Sequence, residues 1–250
     1  MTQKLTLNRM LCAAVLAAAI GAPHAGPPAG PKEAAEAANP GPPTLSRILE
    51  QFDVRQKETV TLVATFTERK DLKLLARPVL SRGEFFYHRP NQVRWEYLGP
   101  DRKVFVITEN VYLAYYPALK RAEEVPIKKF VGKRLFRFLG VGQSIEELGK
   151  YYEFELAPRS DIENTHLLLL TPRKQRVRER VAEMKIWVDA GTYLPRQLQY
   201  VEADGDSTLL RFEEIRMNTS VDAQRFRIDL PRDVVVSQTF NGFSLGQQGF

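Results

Sequence analysis

Covalent or metal chemistry would have to come from a small set of side chains. The chain has one cysteine, Cys12, and three histidines, His24, His88 and His166. No two of them stand at a spacing that ligates a metal or sets a nucleophile against a base. Carboxylate pairs fare no better. Glu146 and Glu147 are adjacent on an expected helical turn and so diverge, while Asp204 and Asp206 flank Gly205 in what reads as a solvated hairpin turn. No phosphate-binding glycine loop or nucleophile elbow occurs in the sequence, and Gly140-Val141-Gly142 is too short to cradle a phosphate. No metal, no cofactor and no enzymatic activity are expected.

Cations are more plentiful. The net charge is +6 and the isoelectric point about 9.4. The densest run is Arg173-Lys174-Gln175-Arg176-Val177-Arg178-Glu179-Arg180. A nucleic-acid site would interleave such a run with aromatic rings for stacking. None is interleaved here, the run lies between two expected strands, and the chain opens with an export signal. It reads as an exposed loop, either solubilising or facing an anionic partner or membrane surface, and no nucleic acid partner is expected.

One further cation has an unusual setting. The stretch Gly83-Glu84-Phe85-Phe86-Tyr87-His88-Arg89-Pro90-Asn91-Gln92-Val93-Arg94-Trp95-Glu96-Tyr97 reads as two strands hinged at Arg89-Pro90-Asn91. A period of two puts Val93, Trp95 and Tyr97 on one face, and Phe85, Tyr87 and Arg89 on one face before the hinge. Arg89 is then either an exposed turn residue beside a proline or a guanidinium at the rim of an aromatic wall. The second setting would require a hydrogen-bond partner. Phe66, on the preceding strand, joins Phe85, Tyr87, Val93, Trp95 and Tyr97 in that wall, which either fills a closed core or lines a cavity.

Positioning these residues calls for a sheet and a few helices. Residues 1–22 carry Lys4 and Arg9 before a ten-residue apolar core, Leu11 to Ile20, then small residues, the form of a cleavable secretory signal. Cys12 lies inside it. Residues 23–43 are an Ala/Pro/Gly-rich spacer too poor in burial to order itself. From residue 44 to 250 one folded domain is expected. Thr44 caps a helix whose apolar face is Leu45, Ile48, Leu49 and Phe52. A second helix, over residues 128–139, presents Phe130, Leu135, Phe138 and Leu139, and Ser144 opens a short turn by its capping-box spacing to Glu147. Strands are expected at residues 59–69 (with Val60, Leu62, Ala64 and Phe66 inward), 72–76, 79–87, 93–97, 103–108, 111–116, 151–156, 166–170, 181–188, 194–202, 207–216 and 226–230. Turn-length connections argue for an antiparallel sheet. Such a sheet, with helices only at its start and middle, curls over them.

The order of these pieces resembles the outer-membrane lipoprotein carriers of the LolA type. The match runs from about Leu45 to Val236. It is carried by Gly83, Arg89-Pro90-Asn91 and Trp95, by Glu109-Asn110-Val111-Tyr112-Leu113-Ala114-Tyr115-Tyr116-Pro117, by Leu168-Leu169-Leu170-Thr171-Pro172 and by Phe226-Arg227-Ile228-Asp229-Leu230-Pro231. Arg232-Asp233 replaces a common glycine, and Glu68-Arg69 stands where glutamine is usual. The resemblance implies an α+β fold: an unclosed antiparallel β-barrel, a strongly curved sheet of about ten to eleven strands, with a lid of short helices. It implies a periplasmic, monomeric carrier that holds the acyl chains of lipoproteins in a hydrophobic cavity. It also implies an inner-membrane lipoprotein-releasing transporter and an outer-membrane acceptor as partners, and assigns Arg89 as the latch of the lid. The alternative is a periplasmic lipid-binding, sensor or scaffold protein of the same fold that acts through protein contacts.

Overall fold

Among the described residues, alternating apolar and polar stretches separated by turn-formers fold into twelve strands and three α-helices. The computed structural model describes residues 43–126, 145–179 and 181–239. In chain order the elements are α1 (Leu45–Glu58), β1 (Thr61–Asp71), β2 (Val79–His88), β3 (Gln92–Leu98), β4 (Lys103–Ile107), β5 (Val111–Tyr116), β6 (Arg121–Pro126), α2 (Ile145–Gly149), β7 (Tyr152–Leu156), β8 (Thr165–Pro172), α3 (Gln175–Arg178), β9 (Val181–Asp189), β10 (Pro195–Glu202), β11 (Ser207–Met217) and β12 (Val235–Ser237). They form one sheet in the order β12-β6-β5-β4-β3-β2-β1-β11-β10-β9-β8-β7. Neighbours are antiparallel except β12, which runs parallel to β6. Among the described residues β7 and β12 are the two edges, and the sheet is curved but not closed.

The curvature is visible in which rings touch. Trp95 on β3 and Phe212 on β11 have ring centroids 5.9 Å apart, although two strands separate them. On a flat sheet their backbones would stand roughly 14 Å apart, at about 4.8 Å per strand. The sheet therefore wraps around its own aromatic side chains. Ile48 and Phe52 of α1 join the same buried cluster.

The hydroxyl of Thr44 accepts from the Arg47 amide and starts α1 as expected. The amide of Ile145, at the start of α2, donates to Asp53 Oδ1 of α1 at 2.9 Å, which joins the two helices end to side. A bulge bends β1–β11, where the pairing shifts between Val63 and Thr65, and Glu214 opposite takes a positive φ of 50°.

Several expected elements are corrected. Val60 is exposed because it lies in the link before β1 begins. Residues 72–76 are a turn-rich connection between β1 and β2 rather than a strand. Arg121–Pro126 and Val235–Ser237 are strands that were not expected. Residues 226–230 do not pair as a strand. Phe226 is buried and Ile228 half-buried in a second small core with Phe86, Val104 and Val106, on the outer face of the sheet. The segment's period of two is real, but it reports packing against a sheet face rather than membership of the sheet.

Candidate functional site

The inward stripe crosses three adjacent strands, β1 to β3. Phe66 on β1, Phe85 and Tyr87 on β2, and Val93, Trp95 and Tyr97 on β3 are all essentially inaccessible to solvent. Cross-strand pairing sets them in rows, with Phe85 opposite Trp95 and Tyr87 opposite Val93. The Phe66 ring meets Trp95 edge-on at 4.8 Å and Tyr97 at 5.0 Å, and Phe85 lies 4.7 Å from Trp95. These contacts fill the interior with the protein's own rings. Gly83 makes the arrangement possible: a Cβ there would lie 2.2 Å from the Glu96 carbonyl oxygen and 2.5 Å from Phe66 Cζ. The space opposite Tyr97 therefore belongs to the Phe66 ring.

Within this wall the Trp95 indole N–H has no hydrogen-bond partner among the described residues, and neither has the hydroxyl of Tyr200 on β10. Each unpaired buried group costs on the order of 1–3 kcal/mol. Toward the β1–β2 turn the interior becomes polar. Glu68 and Lys103 are buried there, the Tyr97 hydroxyl donates to Glu68 Oε1 at 3.1 Å, and Lys70 Nζ stands 3.5 Å from Glu68. Lys103 Nζ lies 4.1 Å over the Tyr97 ring. Burial, helped by nearby Lys70, pushes the Lys103 ammonium down to about 8, against the opposing pull of Glu68 and Asp101. Burial also raises the Tyr97 phenol well above its usual range. This charged floor is not among the site residues expected from the sequence. Its signal there is the same alternation that places Phe66 inward, continued through Glu68 and Lys70.

α1 closes the other end. Ile48 and Phe52 are buried against the wall, and Leu45 and Leu49 pack beside them. A helix leaves its last four carbonyls unpaired, and here each finds a donor. The Arg55 carbonyl accepts from both the amide and the hydroxyl of Thr59, and that of Glu58 accepts from Asn218 Nδ2. Arg89 Nη2 supplies the other two, donating to the Gln56 carbonyl at 3.1 Å and to that of Lys57. The Arg89 backbone amide donates to Val60. Arg89 is thus solvent-exposed, as a turn residue beside a proline would be, and also fastened to the helix that covers the wall. Burial raises the Tyr87 phenol, and the nearby Arg89 charge works against that. Phe130, Leu135, Phe138 and Leu139, expected on the second lid helix, lie outside the described residues.

In the basic run, Arg173 pairs with Glu153 at 2.7 Å and Arg178 donates to the Pro172 carbonyl at 3.2 Å. Part of that charge therefore holds the β8–β9 connection. Among the described residues no cluster of three or more His, Cys, Asp or Glu side chains is placed to hold a metal, and no helix is long and apolar enough to cross a membrane.

Residues 57–229 match the family described as outer membrane lipoprotein carrier protein LolA. The outer-membrane lipoprotein carrier protein of Halorhodospira halophila is 29% identical over 157 residues, 62% of this chain and 69% of that protein. Among solved structures, an uncharacterized conserved protein from Thermus thermophilus superposes with a TM-score of 0.51 at 15% identity, covering 78% of this chain and 98% of the other. MucB from the Pseudomonas aeruginosa MucA/MucB complex gives a TM-score of 0.46 at 14% identity, over 74% of this chain and 60% of that one.

Proposed function

Because the chain belongs to the outer membrane lipoprotein carrier family LolA, which supports a carrier role in general terms, we propose that it ferries lipoproteins through the periplasm by enclosing their acyl chains between α1 and the aromatic wall. The observation that carries this reading is the pairing of a predominantly aromatic stripe, Phe66 to Tyr97, with a cover attached at its end by exchangeable polar bonds. Acyl chains need an enclosed apolar site because each CH₂ withdrawn from water is worth about 0.8 kcal/mol. Binding of that strength opposes release, so a carrier gains from a cover that competes with its cargo. With the interior filled by Phe66, Phe85 and Trp95, cargo must displace α1 and break the Arg89 bonds to enter.

On this reading residues 1–22 direct export and are removed, residues 23–43 are a spacer and residues 44–250 form the carrier domain. The Trp95 N–H and Tyr200 hydroxyl offer donors to the ester groups of a cargo. Delivery requires a releasing transporter at the inner membrane and an acceptor at the outer one. No catalytic step is involved.

The test is mass spectrometry of protein purified from the periplasm after mild extraction. Co-purifying acylated protein or lipid supports the carrier; a stoichiometric non-acylated protein in its place would favour a scaffold or sensor of the same fold.

A further inference from the structure

The connection between β1 and β2 carries apolar side chains where a turn would ordinarily be polar. Its sequence, with the strand ends, is Arg69-Lys70-Asp71-Leu72-Lys73-Leu74-Leu75-Ala76-Arg77-Pro78-Val79-Leu80-Ser81-Arg82. Leu74 is 74% exposed, Leu80 72% and Leu75 49%. Large exposed apolar groups gathered in one place mark an interaction site rather than ordinary surface.

The loop is also held in position. The amide of Lys73 donates to buried Asp206 Oδ1 at 2.8 Å, and that of Leu75 donates to the Leu72 carbonyl at 2.9 Å. Gly205, at φ +90°, lets the Lys73 side chain lie where any Cβ would be only 2.4 Å from Lys73 Cε. The leucines are therefore displayed by a turn pinned to the β10–β11 turn.

The surface continues onto the outer face of the sheet. Phe66 and Glu68 face inward, so Thr67 and Arg69 face out, and their cross-strand partners face out with them. One row is Arg211, Thr67, Arg82 and Leu98; the next is Leu209, Arg69 and Leu80. Arginine and leucine thus alternate around a shallow depression of about 570 Å³ beside the tip. Cations outnumber the acids on the loop itself. Asp71 is occupied by Arg69, at 2.8 Å, and Asp206 is buried at the loop's base, while Lys73, Arg77 and Arg82 are in no ion pair among the described residues.

We propose that this tip is a docking surface for an anionic phospholipid bilayer. Leucines at the end of a convex turn enter the headgroup–acyl boundary, and long cations between them keep their charges at the phosphates. Each Lys or Arg near an anionic leaflet adds to the attraction. An acidic protein partner would sit mainly in the depression, whereas Leu74, the most exposed leucine, lies outside both the larger and the smaller depression at this end. The proposal does not depend on what the interior holds.

The experiment is co-sedimentation of the purified protein with vesicles of phosphatidylcholine alone, or with phosphatidylglycerol added, at low and high salt. The variants are Leu74→Ser/Leu80→Ser and Lys73→Gln/Arg77→Gln. All four positions are on the surface, and circular dichroism checks that the fold is kept. Wild type and variants share residues 1–42, so the difference between them reads the tip. Wild type should bind the phosphatidylglycerol vesicles, and each pair of substitutions should weaken that binding about tenfold or more. Salt should weaken wild type and the leucine variant, and affect the charge variant less. Wild type that ignores phosphatidylglycerol, or variants that bind as wild type does, would overturn the proposal. So would a wild type that ignores vesicles but loses an acidic protein partner on tip substitution. Acyl-probe uptake by the same variants should be unchanged, which separates failure here from failure of the carrier reading.

Discussion

Arg89 caps two of the four carbonyls that end α1, so its removal loosens one fastening of the cover and, within the wall, alters only the surroundings of the Tyr87 hydroxyl. Replacing it with Leu leaves the Gln56 and Lys57 carbonyls to water. We expect the fold to persist, stability to fall by about 1 kcal/mol, and hydrogen exchange to quicken in the last turn of α1. Unchanged exchange there would mean that Thr59 and Asn218 suffice. Lys103 gives a second test, in pH. Folded, its ammonium is held near 8, and its ordinary value is 10.5. Between those values the unfolded chain keeps a proton that the folded one has shed, so stability rises with pH across that window. Below about 8 both states are charged and the burial cost stands in full. Lys103→Met should therefore be the more stable protein at pH 7, by up to a few kcal/mol, with the gap shrinking toward pH 10. Denaturant unfolding at the two pH values measures it, and a constant gap would show that Lys103 is adequately solvated as a cation.

The outer face of the sheet is covered by the strap that follows β11. The Asp222 side chain accepts from the Gln224 amide and starts a short turn. Phe226 then drops onto Phe86, Val104 and Val106, and Arg94 donates to the carbonyl of Arg225 at 3.0 Å. Glu96 lies beneath it. Burial pushes the Glu96 carboxyl up, but Arg94 and Arg102 outweigh that and hold it below the usual carboxylate range. Phe226→Ala should cost roughly 3 kcal/mol and expose the strap and β12 while near-ultraviolet signals from the inner wall persist. Loss of those inner signals would mean that the two cores fold as one. Elements with regular apolar spacing or a continuous apolar run were legible in the sequence: α1, β1 to β5 and β8 to β11 lie within a residue or two of expectation. β6 was not, because its inward set is Arg121, Glu123 and Val125, and a buried carboxylate breaks the apolar signal. β12 has three residues and an edge position, too short to read. Residues 72–76 misled in the opposite sense, since their leucines are apolar but exposed.

At the scale of the whole molecule, β1 sits mid-sheet between β2 and β11, joining the strands β2 to β6 to the strands β7 to β11, and α1 leads directly into it. The aromatic wall could be read from alternation alone, which left two settings open for Arg89, and the fate of the interior could not, because period-two burial is the same for a packed core and a lined cavity. The sheet encloses its own rings, and on the proposed reading an acyl chain enters at the expense of α1. That coupling gives signs that differ between mechanisms. A ligand that binds the folded state at a hundredfold excess over its Kd stabilises it by about 2.7 kcal/mol, so a fluorescent acyl probe should raise the thermal midpoint. If the probe occupies the wall by displacing the helix, amides of residues 48–58 should at the same time exchange faster, while those of β1 to β3 exchange more slowly. A probe held on the outer surface would slow exchange everywhere or nowhere. Combining the probe with Arg89→Leu sharpens the comparison, since opening the cover costs less in that variant. Its probe affinity should rise about threefold to tenfold, the equivalent of roughly 1 kcal/mol, and its release should slow accordingly. Equal affinities in wild type and Arg89→Leu, with α1 protected in both, would place the acyl chain elsewhere than beneath the helix.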